Sequence, residues 1–192
     1  MNSVAISGSP RENVGKRDAK ELRYQGLVPA VLYGGATQTH FSVLIADIKP
    51  VIFTPEVNFI DLTVGGVTTS AIIKDMQFHP LTEQLLHVDF LQLDQNKPVT
   101  IEIPIRLTGT SPGVKMGGKL VQKLRKLRVK ALPKDHINNI DVSIEGLEVG
   151  KSVRVGEISV PNLTITNAAE DTVVSVTTSR ALRQAEQEAG KK

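Results

Sequence analysis

Gly65-Gly66 stands between two runs of strand-forming residues, Asn58 to Val64 and Val67 to Ile73. No other feature constrains the fold of this chain as much. Two residues free to take positive φ join two strands through a primed turn, whose twist matches that of the strands. A second pattern points the same way. Ile101, Ile103, Ile105 and Leu107 alternate with Glu102, Pro104, Arg106 and Thr108, the period of a half-buried strand. Pro104 predicts an edge position or a bulge there, because proline brings no N–H to a ladder. The alternation returns at Ile140, Val142 and Ile144, at Val153 and Val155, and at Val174 and Val176. No helical period of comparable strength occurs between 100 and 178, so this half is expected to be all-β.

The first half adds helices to its strands. Val4 and Ile6 predict a short opening strand. Residues 16–25 predict a helix ended by Gly26, with Pro29 blocking continuation. Ala30 to Tyr33 and Phe41 to Ile45 predict strands, and a short helix follows from Asp47 with Pro50 in its first turn. Leu85 to Leu93 supplies a last strand. The polar run Asp94 to Pro98 then separates two domains, 1–94 and 95–179. Residues 180–192 favour helix but carry too little apolar surface to dock, which predicts a mobile tail.

Composition excludes some chemistry. The chain's 192 residues suffice for two small cores, and 40% hydrophobic with 22% charged residues is ordinary for a globular protein. There is no cysteine, hence no disulfide, thiolate or cysteine-ligated zinc. Met1 to Pro10 shows no apolar signal core, and no apolar run approaches a membrane span, so a cytoplasmic protein without membrane contact is expected. A net charge of +3 is modest, so charge placement must carry any nucleic-acid argument.

Two segments hold the candidate chemistry. Arg11, Lys16, Arg17, Lys20 and Arg23 form a basic stretch, which Glu12, Asp18 and Glu21 cut to a net charge of +2. The second segment runs from His79 to Phe90. On a strand His87 and Asp89 share one face, with Val88 and Phe90 on the other. His79, His87 and Asp89 have the residue types of a metal set. A purely structural role is the plainer alternative, with His87 hydrogen-bonded in the sheet and Asp89 closing a turn. Gly8 to Lys16 does not make a phosphate loop, because Pro10 stands where a glycine is required and Arg17 where a hydroxyl is. Contact with RNA fits best once the basic stretch, Lys74 and Tyr33 are taken together. Cations neutralise phosphates, while histidine, carboxylate and aromatic groups read bases or ribose edges. Regular A-form RNA hides its major groove, so such a surface suits an irregular helix.

In order, the basic helix, VPAVLYGG, IKDMQFHP and LLHVDF resemble the bacterial large-subunit ribosomal protein L twenty-five family, also called the general stress protein Ctc family. Pro112-Gly113-Val114-Lys115, Gly117-Gly118 and Val129-Lys130-Ala131-Leu132-Pro133 resemble its long form, which adds a C-terminal domain. The resemblance runs from about residue 4 to about residue 177. It implies a mainly β fold, with a barrel-like N-terminal domain holding two or three short helices and a second all-β domain. It also implies a ribosomal protein without catalytic activity or cofactor, monomeric when free. Its partners would be 5S ribosomal RNA, gripped at the irregular loop E region, and neighbouring ribosomal proteins of the large subunit. Arg11, Lys16, Lys20 and Arg23 match basic positions of the family's first segment. Tyr33 matches the tyrosine before the paired glycines, and Gln77, His79, His87 and Asp89 match the later motifs. Glu21 and Phe78 stand where arginine is common.

Lys115 to Lys134 holds eight basic residues and no acidic one. Within it Lys126, Arg128 and Lys130 alternate with Leu127, Val129 and Ala131, which predicts a strand with one cationic face. That face either discourages edge-to-edge pairing or makes a second contact with ribosomal RNA or an acidic neighbour. Three functions follow: a structural protein binding 5S RNA in the large subunit, a stress-related protein-interaction module of the ribosome, and an enzyme. The last, using His79, His87 and Asp89, is weakest, because nucleophile, metal set and phosphate loop are all missing.

Overall fold

The computed structural model describes residues 3–35 and 37–178; the expected tail, 180–192, lies outside them. The chain forms two compact units, Met1–Val99 and Thr100–Lys192.

In the first unit six strands close a barrel. They are β1 (Ser3–Pro10), β2 (Leu27–Tyr33), β3 (Thr39–Leu44), β4 (Phe59–Val64), β5 (Val67–Phe78) and β6 (Leu85–Gln92), in the order β1-β3-β2-β6-β5-β4. The barrel closes where β1 runs parallel to β4, from Ser3 opposite Phe59 to Gly8 opposite Val64. The expected hairpin joins β4 to β5, and Gly65 (φ +57°) and Gly66 (φ +85°) both take the positive φ that a primed turn demands. Inside, Phe41 of β3 and Phe90 of β6 are fully buried with ring centroids 5.5 Å apart. Gly8 faces the Phe41 ring, and a Cβ there would stand 2.5 Å from Phe41 Cδ2. The closing strand can pass only as glycine at that point.

Two helices complete the unit, α1 (Lys16–Tyr24) and α2 (Ile45–Ile52). α2 begins two residues earlier than its sequence suggests, so Pro50 sits inside it rather than in its first turn. The proline withholds an N–H from the carbonyl four residues back. The helix is two turns long and stops soon after, where Thr54 Oγ1 donates to the Pro50 carbonyl at 2.6 Å. β1 is longer than the short strand expected, because the barrel offers it a partner on each side.

The second unit stacks two sheets. β7 (Val99–Thr108), β9 (Lys126–Ala131), β10 (Ile140–Ser143) and β12 (Thr164–Ile165) form one, in the order β10-β7-β9-β12. β8 (Lys119–Gln122), β11 (Ser152–Arg154) and β13 (Thr172–Thr177) form the other, in the order β11-β13-β8. Leu127, Val129, Ile103 and Val173 are fully buried in its main core. Pro104 is not on an edge, since β7 lies between β10 and β9. The ladder to β10 starts just past the proline, at Ile105 opposite Ile140, so no N–H is missed there. A one-turn helix, α3 (Pro112–Lys115), interrupts the expected all-β pattern. Ser111 caps it by accepting the Val114 N–H at 3.3 Å, and Pro112 fills the first helical position.

Candidate nucleic-acid interface

β6 carries the chemistry on its outer face. Val88 and Phe90 are buried in the barrel, while His87 and Asp89 face outward, each with its side chain 30% exposed. His87 Nδ1 and Asp89 Oδ1 lie 2.7 Å apart. Asp89 therefore orients the ring within its strand instead of closing a turn, and leaves Nε2 to point elsewhere.

Two irregularities in the β5–β6 ladder shape this face. The register steps from Ile73 opposite Phe90 to Asp75 opposite Asp89, so Lys74 is an extra residue. Strict alternation would send Asp75 into the core. The bulge keeps it outside beside Asp89 and returns Met76 to the apolar interior. Gln77 then falls opposite His87. On the other flank β2 runs parallel to β6, and Val31 opposite Asp89 puts Tyr33 on the same outer face. Partial burial raises the Tyr33 phenol pKa above 10.0, and the nearby carboxylates of Asp89 and Asp75 raise it further.

The second irregularity explains how the basic helix is seated. Gln77 pairs with His87 but Phe78 with Leu85, leaving Leu86 as the extra residue. Arg23 of α1 donates to the Leu86 carbonyl from Nε at 3.0 Å and Nη2 at 2.9 Å. A carbonyl left over by the ladder thus anchors the helix beside the His87 strand. Arg11 also turns inward. Its side chain is only 9% exposed and is paired with Asp18, and Nη2 donates to the Asn13 carbonyl at 3.1 Å.

The structure therefore divides the predicted site residues. His87, Asp89, Gln77 and Tyr33 share one face, and Lys16, Lys20 and Lys74 are exposed. Arg11 and Arg23 are engaged within the protein. His79 serves its own loop, where Nδ1 accepts the N–H groups of Leu81 (3.3 Å) and Thr82 (3.2 Å). Among the described residues no three His, Asp or Glu side chains gather as metal ligands. Sequence reasoning missed Asp75 and Tyr24. Tyr24 is 80% exposed on α1, with Lys20 Nζ 5.8 Å from its ring centroid. The spacing of Tyr24 four residues after Lys20 was the available signal.

In the second unit Lys126, Arg128 and Lys130 are exposed while Leu127, Val129 and Ala131 are buried, as the alternation predicted. β9 lies between β7 and β12, and β12 pairs with it at Val129 and Lys130.

A closed six-stranded barrel with an outward polar cluster, followed by a second β unit, defines a class of two-domain β proteins. The Ribosomal L25p family model matches residues 6–90, and the model for the C-terminal domain of ribosomal protein TL5 matches residues 98–180. Large ribosomal subunit protein bL25 of Cytophaga hutchinsonii is 46% identical over 192 residues, covering 100% of both chains. The bL25 proteins of Phocaeicola vulgatus (43%, 100% of both chains) and Porphyromonas gingivalis (41%, 96% of this chain and 97% of the relative) are similar along nearly their whole length. The chain belongs to the bL25 family of large-subunit ribosomal proteins, in the form that carries a TL5-type second domain. Members are structural ribosomal components rather than enzymes, and as a ribosomal component the protein resides in the cytoplasm. Among the described residues no helix is long and apolar enough to cross a membrane.

Proposed function

We propose that this protein binds 5S ribosomal RNA at an irregular helix, the loop E region, through the outer face of β2, β6 and β5 with α1 alongside. The observation that carries the reading is the His87–Asp89 pair, 2.7 Å apart on a rigid strand. Asp75, Gln77 and Tyr33 surround it on the same face. Such a set offers donors, acceptors and a ring to base and ribose edges, which a distorted groove exposes. Lys16, Arg17, Lys20 and Lys74 supply the phosphate contacts. Arg11 and Arg23, seated against Asp18 and Leu86, hold the basic segment in place for them.

Titration against 5S RNA and an unrelated RNA of equal length, at several salt concentrations, tests this. Affinity for 5S RNA should fall with salt by roughly 0.7–0.9 log units per log unit of salt for each phosphate neutralised. It should stay above that for the unrelated RNA at physiological salt. Equal affinities refute specific recognition. Retention on large subunits without 5S preference would favour the alternative, a stress-related ribosome-associated protein-interaction module.

A further inference from the structure

The eight basic residues from Lys115 to Lys134 are all exposed. Among the described residues Arg128 alone of the eight has an acidic ion-pair partner, Glu102 at 3.1 Å. Lys119 lies on β8, Lys123 and Arg125 lie in the link to β9, and Lys126, Arg128 and Lys130 stand on the outer face of β9. Alternate residues of a strand are roughly 7 Å apart, so each can meet a separate phosphate of one nucleic-acid strand. The acids of this sheet lie to one side, Glu102 and Asp141 on β7 and β10, where Asp141 is in register with Arg106. β12 on the other side adds only Thr164, opposite Lys130. Among the described residues no aromatic ring, and no His–Asp pair like that of the first unit, stands among the cations.

From this we infer that the outer face of β9 is a second interaction surface, which takes the phosphate backbone of ribosomal RNA without reading its sequence. Lys126, Arg128 and Lys130 are its centre. The chemistry is charge complementarity alone: a strip of cations with unpaired neighbours gains counterion release from any closely approaching polyphosphate. The inference rests on family membership and the charge layout, and it stands even if 5S recognition fails.

The full-length chain and its Lys126→Gln/Arg128→Gln/Lys130→Gln variant are titrated with an RNA duplex of unrelated sequence and with polyglutamate, over a range of salt. On the duplex, the dependence of log affinity on log salt should become shallower by roughly two to three units in the variant. Binding to isolated 5S RNA should change less than tenfold. A variant with Lys126→Arg and Lys130→Arg, which keeps the charge, should behave as the parent. An unchanged salt slope on the duplex overturns the proposal. So does polyglutamate binding as tightly as the duplex and lost in the Gln variant, which would assign the face to an acidic protein.

Discussion

The two units present their charge in opposite ways. On the barrel three groups at the centre of the site are fixed by a neighbour: His87 by Asp89, Arg23 by the Leu86 carbonyl, and Arg11 by Asp18. On β9, among the described residues, Arg128 alone has an ion-pair partner, and that partner, Glu102, is half exposed. Fixed donors and acceptors discriminate between ligands, because a wrong partner leaves them unsatisfied. Solvated cations attract any polyanion and discriminate little. One fold thus pairs a surface suited to recognition with one suited to adhesion.

The sharpest way to break this comparison is to remove one core and watch the other. Phe90→Ala should cost the first unit about 3–5 kcal/mol, because the cavity forms behind the strand that carries His87 and Asp89. Calorimetry should show one transition lowered and the second unmoved, with 5S binding lost. A common shift of both transitions would mean that the units do not melt independently.

His87→Ala and Asp89→Ala come next, each costing about 1–3 kcal/mol of 5S binding. The melting curve should be unchanged for both, and binding to an unrelated duplex should hardly move. Parallel loss of stability would instead make the pair a sheet-stabilising contact. Smaller still is the effect of deleting the second unit. A fragment of residues 1–94 should bind 5S RNA within tenfold of the full chain, about 1.4 kcal/mol, and residues 95–179 should bind it weakly. A larger gap in isothermal titration would make the second unit part of the primary site.

The mildest effect is on pH. The Tyr33 phenol has its pKa raised in the folded state by burial, Asp89 and Asp75. Its proton is therefore held more tightly folded than unfolded. The associated stability is present below pH 10 or so and fades as pH rises through the raised value. Titration by ultraviolet absorbance in a Tyr24→Phe background should show the raised midpoint, and Asp89→Asn should bring it down. A midpoint unaffected by Asp89→Asn would separate the ring from the carboxylates.

Much of this was legible in the sequence, because local rules governed it. Two adjacent glycines announced the hairpin, and alternation placed His87 and Asp89 outside Val88 and Phe90. The misses have a common cause. Asp75 reaches the outer face only because Lys74 is extra, and an extra residue is defined by the partner strand, not by its own. Arg11 and Arg23 read as candidate RNA contacts until Asp18 and the Leu86 carbonyl are in place. Pro104 followed the local rule for edges, but the ladder beside it simply begins one residue later.

The order of the barrel strands has a consequence for biogenesis. β6, the last strand of the first unit in sequence, is inserted between β2 and β5, and β1 waits for β4 before it has a parallel partner. A nascent chain that ends before Leu85 has the basic helix but lacks the strand that seats Arg23 and bears His87 and Asp89. Under the proposed function, recognition would appear only when the last strand takes its place between β2 and β5. Engagement of RNA would then sort finished molecules from unfinished ones, without any separate checkpoint.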